Sequence, residues 1–187
     1  MGNAWKHFKT ITYHKYLVAK GCFKVGLYKQ GLLHDLSKYS PTEFFVGVRN
    51  FQGTRSPNDA EREVLGYSSA WLHHKGRNKH HYEYWMDYNK KAKPGEMIPV
   101  PMPDKYIAEM IMDRIAACKV YKGMNYTNRD AYEYYLKSVN LHTMHEYTAE
   151  VLGRMLKLMA EEGEEKMYQC VREELVKKKK DRQQRAK

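Results

Sequence analysis

No stretch of this 187-residue chain alternates persistently between apolar and polar side chains, whereas apolar positions recur at helical spacing in one segment after another. That pattern leaves only helices with a face to bury. Residues 4–30 place Phe8, Ile11, Tyr16, Leu17, Val25 and Leu27 at helical spacing before Gly31, a natural stop, and project His7 and His14 from one face. Ser40-Pro41 followed by Glu43 is a helix-start signal, with Phe44, Phe45 and Val48 as the expected buried face. After a loop over 51–57, Ser56-Pro57 leads a helix from Asn58 to about His74, with Asp59 and Glu61 in its first turn. Gly76 and Asn78 break it, and a helix restarts over His80–Asn89. Lys93 to Pro103 is a proline-rich loop, and Asp104 caps an apolar helix reaching about Lys122. Asn128–Val139, Thr143–Glu162 and a charged last helix running into Lys177–Lys180 complete the series. The expectation is an all-α, single-domain bundle of about six to eight helices. Its body spans 1–165, and 166–187 form a basic C-terminal helix or tail.

A chain of this length buries roughly 70% of its unfolded surface, so no external staple is required. Cys22, Cys118 and Cys170 lie far apart, each on a helical segment, which argues against a disulfide framework or a zinc knuckle and suits a reducing cytoplasm. No signal-peptide stretch opens the chain and no run approaches the roughly 20 apolar residues of a membrane span. The formal charge is +11, of which residues 171–187 contribute +5 through eight Lys or Arg against three Asp or Glu. Such a field concentrates anions: phosphorylated small molecules, nucleotides or, through the tail, nucleic acid.

Against this background one dipeptide stands out. His34-Asp35, in Gly31-Leu-Leu-His34-Asp35-Leu-Ser-Lys38, sets an imidazole beside a carboxylate where a helix should end, and both reach one ion only if the backbone turns them towards it. Partners are at hand: His14 twenty residues earlier, the pairs His73-His74 and His80-His81, and Asp113 within Met110, Ile111, Met112, Ile115 and Ala116. A carboxylate on so apolar a helix is costly unless paired or coordinated. Imidazole with carboxylate suits manganese, iron, cobalt, nickel or zinc, with magnesium admissible, and an ion held with an open position lowers the pKa of bound water towards neutrality. Lys38, one turn after Asp35, and Arg77, whose planar fork matches phosphate, are the expected phosphate-holding groups.

The order His14, His34-Asp35, Asp113 resembles the signature of the HD-domain superfamily of metal-dependent phosphohydrolases. The blocks Gly31 to Phe44 and His74-Lys-Gly-Arg77-Asn78-Lys-His80-His81-Tyr-Glu83-Tyr-Trp85 resemble an uncharacterised bacterial and phage branch of it, catalogued as a domain of unknown function. The resemblance covers about residues 7–120. It implies a helical HD-type fold with His14, His34, Asp35 and Asp113 as metal ligands, and in two-metal members a second ion on histidines that match His74 with His80 or His81. Asp35 is then the expected bridging ligand of one or two divalent ions, in a hydrolase acting on a small phosphorylated substrate such as a nucleotide.

Each feature also has a plainer explanation. Asp113 suits a salt bridge to Arg114 or Lys105, and His7 an ordinary half-buried position. The histidine pairs, among Lys75, Arg77 and Lys79, suit a solvated loop. His142 and His145 fit a helix start, and Tyr82, Tyr84, Trp85 and Tyr88 fit core packing. Two rival functions remain: a non-catalytic nucleic-acid-binding protein, and a di-iron HD-like oxygenase.

Overall fold

A computed structural model describes residues 2–89, 93–140 and 142–177. Among them the protein is all-α but for one short hairpin. Nine α-helices run in the order α1 (Asn3–Val25), α2 (Tyr28–Leu33), α3 (Pro41–Arg49), α4 (Pro57–Leu65), α5 (Ser69–Lys75), α6 (Asp104–Lys122), α7 (Asp130–Ser138), α8 (Glu146–Glu162) and α9 (Glu164–Val171).

The count exceeds the expected six to eight because two predicted helices are each split by a glycine. Gly26 takes the left-handed conformation at φ 85° and closes α1, where its own N–H and that of Leu27 both reach back to the Cys22 carbonyl. Gly31, expected as the stop, lies buried inside α2 instead. Gly66, at φ 79°, ends α4 with a left-handed cap too, and the predicted 58–74 helix becomes the two helices α4 and α5.

The predicted helix over His80–Asn89 is replaced by a 3-10 turn at Tyr82–Tyr84 and the strand β1 (Met86–Tyr88). β1 pairs antiparallel with β2 (Met97–Pro99), Met86 facing Pro99. Three-residue strands are too short to show alternation in sequence. The buried face of α3 is likewise not the expected one: Glu43 and Gly47 are buried, Phe44 and Val48 are half-buried, and Phe45 is exposed. A carboxylate takes the position an aromatic would be expected to hold.

The core lies between α1, α6, α8 and α9. Val18, Cys22 and Val25 meet Ile107, Ile111 and Ile115, and Leu152, Met155, Leu156 and Met159 close the far side with Met167 and Val171. Residues 107–112 of α6 are all buried, so this helix is central rather than one-faced, and any polar side chain on it needs a partner. Residues 164–177 also pack into the body, with Tyr168, Val171 and Leu175 buried, so the core extends past the expected boundary at 165. Of the Lys177–Lys180 run, residues 178–180 lie outside the described residues, as does the rest of the tail.

Smaller expectations resolve locally. Asp104 is the first residue of α6, not its cap, and accepts instead from the Tyr147 hydroxyl at 2.6 Å. His145 caps α8, its Nδ1 accepting from the Tyr147 N–H at 3.1 Å. Tyr82 and Trp85 pack on the core, while Tyr84 and Tyr88 are exposed. The three cysteines are free thiols on helices. No described helix is long and apolar enough to cross a membrane.

Candidate metal centre

The centre forms where α2 stops. His34 ends the helix at φ −53°, ψ 129°, and Asp35 turns left-handed at φ 53°, the only non-glycine among the described residues with positive φ. Aspartate tolerates that region better than most residues, yet the strain is of order 1 kcal/mol. The turn swings both side chains inwards and leads into a 3-10 turn, Leu36–Tyr39, that carries Lys38. Lys15 of α1 fixes the turn by donating to the carbonyls of Leu32 at 2.6 Å and His34 at 2.8 Å.

Asp35 sits at the centre of two sets of imidazoles. Its Oδ2 faces His34 Nε2 at 3.3 Å and His14 Nε2 at 3.8 Å, while its Oδ1 faces His74 Nε2 and His80 Nε2, each at 3.3 Å. Asp113 joins the first set, its Oδ1 lying 2.9 Å from His14 Nε2 and 3.5 Å from His34 Nε2. His81 joins the second, with its ring centroid 4.1 Å from that of His80. Donor atoms of His14, His34, Asp35 and Asp113 lie within 4.8 Å of one another, and so do those of Asp35, His74, His80 and His81. All seven side chains expected as ligands are thus brought together, with Asp35 common to both groups. His73 lies outside, and Asp113 pairs with neither Arg114 nor Lys105: those cations lie over the rings of Tyr134 and Tyr106.

The donors fit a cation. Asp35 Oδ1 and the Nε2 atoms of His34, His74, His80 and His81 are buried without a hydrogen-bond partner, and Asp35 Oδ2 has only the Lys38 ammonium. Five such atoms gathered around Asp35 would be costly unless something positive satisfies them. Lys38 alone cannot do so. Its Nζ contacts only Asp35 Oδ2, at 2.7 Å, from the partly exposed side of the cluster.

Two glutamates set which imidazole nitrogen points inwards. Glu109, one turn before Asp113 on α6, receives His34 Nδ1 at 3.0 Å and His80 Nδ1 at 3.2 Å on the same oxygen, Oε1. Glu43 receives His74 Nδ1 at 2.8 Å on one oxygen and His73 Nδ1 at 2.6 Å on the other. An ionised carboxylate only accepts, so these nitrogens carry hydrogen and the Nε2 atoms turn towards Asp35. Neither role was expected from sequence. Glu43 reads there as half of a capping box, and Ser40 does cap α3 by accepting from the Glu43 N–H at 3.5 Å, but the Glu43 side chain is diverted to the histidines. For Glu109 the available signal is its spacing of four from Asp113, which puts both carboxylates on one face of a buried helix. Ser37 and Asn78 complete the surroundings of His74: Asn78 Nδ2 donates to Ser37 Oγ at 2.9 Å and to the His74 carbonyl at 2.8 Å.

The electrostatics follow from crowding charges away from water. Burial opposes ionisation of Asp35, but His34, Lys38 and His74 outweigh it and hold the carboxyl well below the usual range. Asp113 is held well below its usual value too, against burial, by its hydrogen bond with His14 and by the nearby His34. Burial likewise opposes protonation of His34, yet the surrounding carboxylates of Asp35, Asp113 and Glu109 raise it well above the ordinary imidazole value. His81, buried beside His80 and His74, is held well below it and stays neutral. Protons on His34 compensate the buried carboxylates, and a cation taken up at the Nε2 atoms must displace them.

Arg77 stands apart from the expected arrangement. It is exposed at the end of α5, and its Nη1 donates to the His73 carbonyl at 3.3 Å, with no tie to the cluster among the described residues. Arg77 lies in the turn that follows α5, past the Gly76 cap, while His74 is the buried residue of the helix's last turn.

No curated protein and no solved structure matches the chain. A family model matches residues 3–158, a span that includes every residue of the cluster together with Glu43 and Glu109. The chain belongs to that family, the family of unknown function DUF5662.

Proposed function

We propose that the chain is an HD-type metal-dependent phosphohydrolase acting on a small anionic substrate, a nucleotide among the candidates. The observation that carries this reading is Asp35, whose two oxygens each face their own group of buried, unpartnered imidazole nitrogens. His14, His34, Asp35 and Asp113 would hold one divalent ion, and Asp35, His74, His80 and His81 a second. The histidine-rich donor set favours a transition ion over magnesium. An ion in such a site supplies an activated water near neutral pH and offsets charge on the phosphoryl oxygens.

The chain's own residues do the rest. Glu43 and Glu109 orient three of the imidazoles through their Nδ1 atoms. Lys38 brings a permanent positive charge to the partly open side of Asp35, where an anionic substrate approaches and where its ammonium can hold a phosphate oxygen. The cluster itself is walled off, with His34, Asp35, His74 and His80 at most 2% exposed, so water enters in small number and charges there interact strongly.

The test is elemental analysis of the purified protein with phosphate release from p-nitrophenyl phosphate, repeated on Asp35→Ala. The expected result is up to two transition ions per chain in the wild type, and loss of both metal and at least about a hundredfold of activity in the variant. An Asp35→Ala protein that is folded, fully metallated and active would overturn the reading.

A further inference from the structure

Beside the cluster, between α1, α3 and the start of α4, lies a cavity of about 60 Å³. Lys38, Glu43 and Tyr121 line it, with Ser56, Pro57 and Asn58 at the entrance to α4 and His7 and Thr10 from α1. It joins the metal cluster through Lys38, whose ammonium contacts Asp35. Tyr121 follows Asp113 by eight residues on α6, so it stands on the same face about 12 Å further along. Its charged neighbours are Lys38, Asp59 and Asp113, and the Ser56 hydroxyl is its hydrogen-bond partner. His7 is 6% exposed and its Nδ1 has no hydrogen-bond partner, which makes it a buried polar group with unused capacity on the cavity wall.

The composition of the wall restricts what can occupy it. Lys38 is the only lysine or arginine in the lining and Glu43 the only carboxylate, so a second phosphate would enter with nothing to balance it. A purely apolar group would leave the buried His7 Nδ1 without a partner, at a cost comparable to a lost hydrogen bond, and would make no use of the polar Tyr121, Asn58, Ser56 and Thr10 side chains on the wall. Ile11, Phe51, Pro57 and Ala70 supply apolar contact between these polar groups. Alternating hydroxyl partners and carbon surface are what a sugar ring presents. Size agrees: at roughly 10–15 Å³ of such volume per water, the cavity holds about four to six waters, or roughly 120–180 Å³ of liquid. That is enough for a five-carbon sugar and too little for a sugar plus a purine.

We propose that this cavity binds the alcohol part of the phosphoester, and that it selects a compact hydroxylated group of pentose size with its phosphate at Lys38. The inference rests on the phosphohydrolase reading for the identity of the reacting end. The sugar arrives either as a free sugar phosphate or as the sugar of a nucleoside monophosphate, whose base then lies outside the cavity.

Calorimetric titration of the metal-loaded full chain with three non-hydrolysable probes tests it: methylphosphonate, the phosphonate analogue of ribose 5-phosphate, and the same analogue carrying adenine. The sugar phosphonate should bind at least about tenfold tighter than methylphosphonate. Tyr121→Phe and Asn58→Ala should each erode that preference about five- to tenfold at unchanged metal content, and Tyr121→Trp, which fills the cavity, should abolish it. Adenine that leaves or strengthens the affinity identifies a nucleotide source, and adenine that weakens it a free sugar phosphate. Equal binding of sugar phosphonate and methylphosphonate overturns the proposal, as does a preference that survives all three variants. A sugar preference without phosphate release from any ester would remove the hydrolase reading and keep the binding site. Phosphate release without the preference would do the reverse.

Discussion

The carboxylate of Glu109 offers the sharpest test of how the centre is built, because one oxygen serves both halves of it. Oε1 receives His34 Nδ1 at 3.0 Å and His80 Nδ1 at 3.2 Å; His34 belongs to the first candidate site and His80 to the second. Removing an outer hydrogen-bond partner of a metal-binding histidine typically costs 10- to 100-fold in metal affinity. Glutamine at this position keeps the size and one acceptor oxygen but loses the charge, so Glu109→Gln should weaken both sites by about tenfold, or about 1.4 kcal/mol each. Alanine leaves two buried N–H groups unpaired, and Glu109→Ala should weaken both by up to about a hundredfold, near 2.7 kcal/mol each.

The assay is titration of the metal-free protein with manganese or zinc, with the stoichiometry checked by elemental analysis and the fold by circular dichroism. Parallel loss at both sites is the expected signature. Native affinity at both sites in Glu109→Gln would refute the positioning role. Complete loss of one ion with the other untouched would also refute it, since that pattern belongs to a glutamate that is itself a ligand. The carboxylate oxygen does lie near enough to His34 and His80 for that alternative to be a real competitor.

Two further predictions concern the packing beside the centre. A Cβ on Gly47 would lie 2.3 Å from His7 Nε2. Alanine gains about 1 kcal/mol of helix propensity over glycine, but overpacking of about 1–3 kcal/mol opposes it. Gly47→Ala should therefore lower Tm by a few degrees, and Gly47→Ala combined with His7→Ala should recover most of the loss; equal Tm in Gly47→Ala and wild type would contradict the close contact. His7 itself is pushed down from 6.5 to about 4, by burial and then by Lys38, so the fold holds it neutral. Its contribution is complete above pH 6.5 and is lost as pH falls towards about 4, where the unfolded chain binds a proton that the folded chain refuses. The shift is worth at most about 3 kcal/mol. Chemical denaturation of metal-free wild type and His7→Leu should show the variant gaining on the wild type across that interval; a pH-independent gap would refute it.

Much of this was legible in the sequence, and what was not has identifiable causes. Helical periodicity reveals the helices, but not which glycines stop them: Gly26 and Gly66 turn left-handed and end α1 and α4, whereas Gly31 lies inside a helix without stopping it. The residues that gather around Asp35 were readable because histidines are few and their order with His34-Asp35 and Asp113 is distinctive. Glu43 and Glu109 were not, since glutamate is common on helices and each had a local explanation available: a cap for Glu43, and a place in the shadow of Asp113 for Glu109. Arg77 failed the other way: its chemistry suits phosphate, but it sits exposed in the turn after α5.

Three departures from the rules of a stable helical bundle meet at one point. Asp35 holds a left-handed backbone that costs energy. Glu43 leaves a capping box half made to reach His73 and His74. Glu109 and Asp113 place two carboxylates on the innermost helix, where apolar side chains would pack more favourably. No single one stabilises the fold by itself, and the remainder of α6 shows that the chain can fill such positions with Ile and Met. Departures that are independent in sequence, yet converge on one set of unpartnered nitrogens, are expected where a site is built at the expense of stability. A cation bound there would also relieve the charges that Asp35, Glu109 and Asp113 bring into the core.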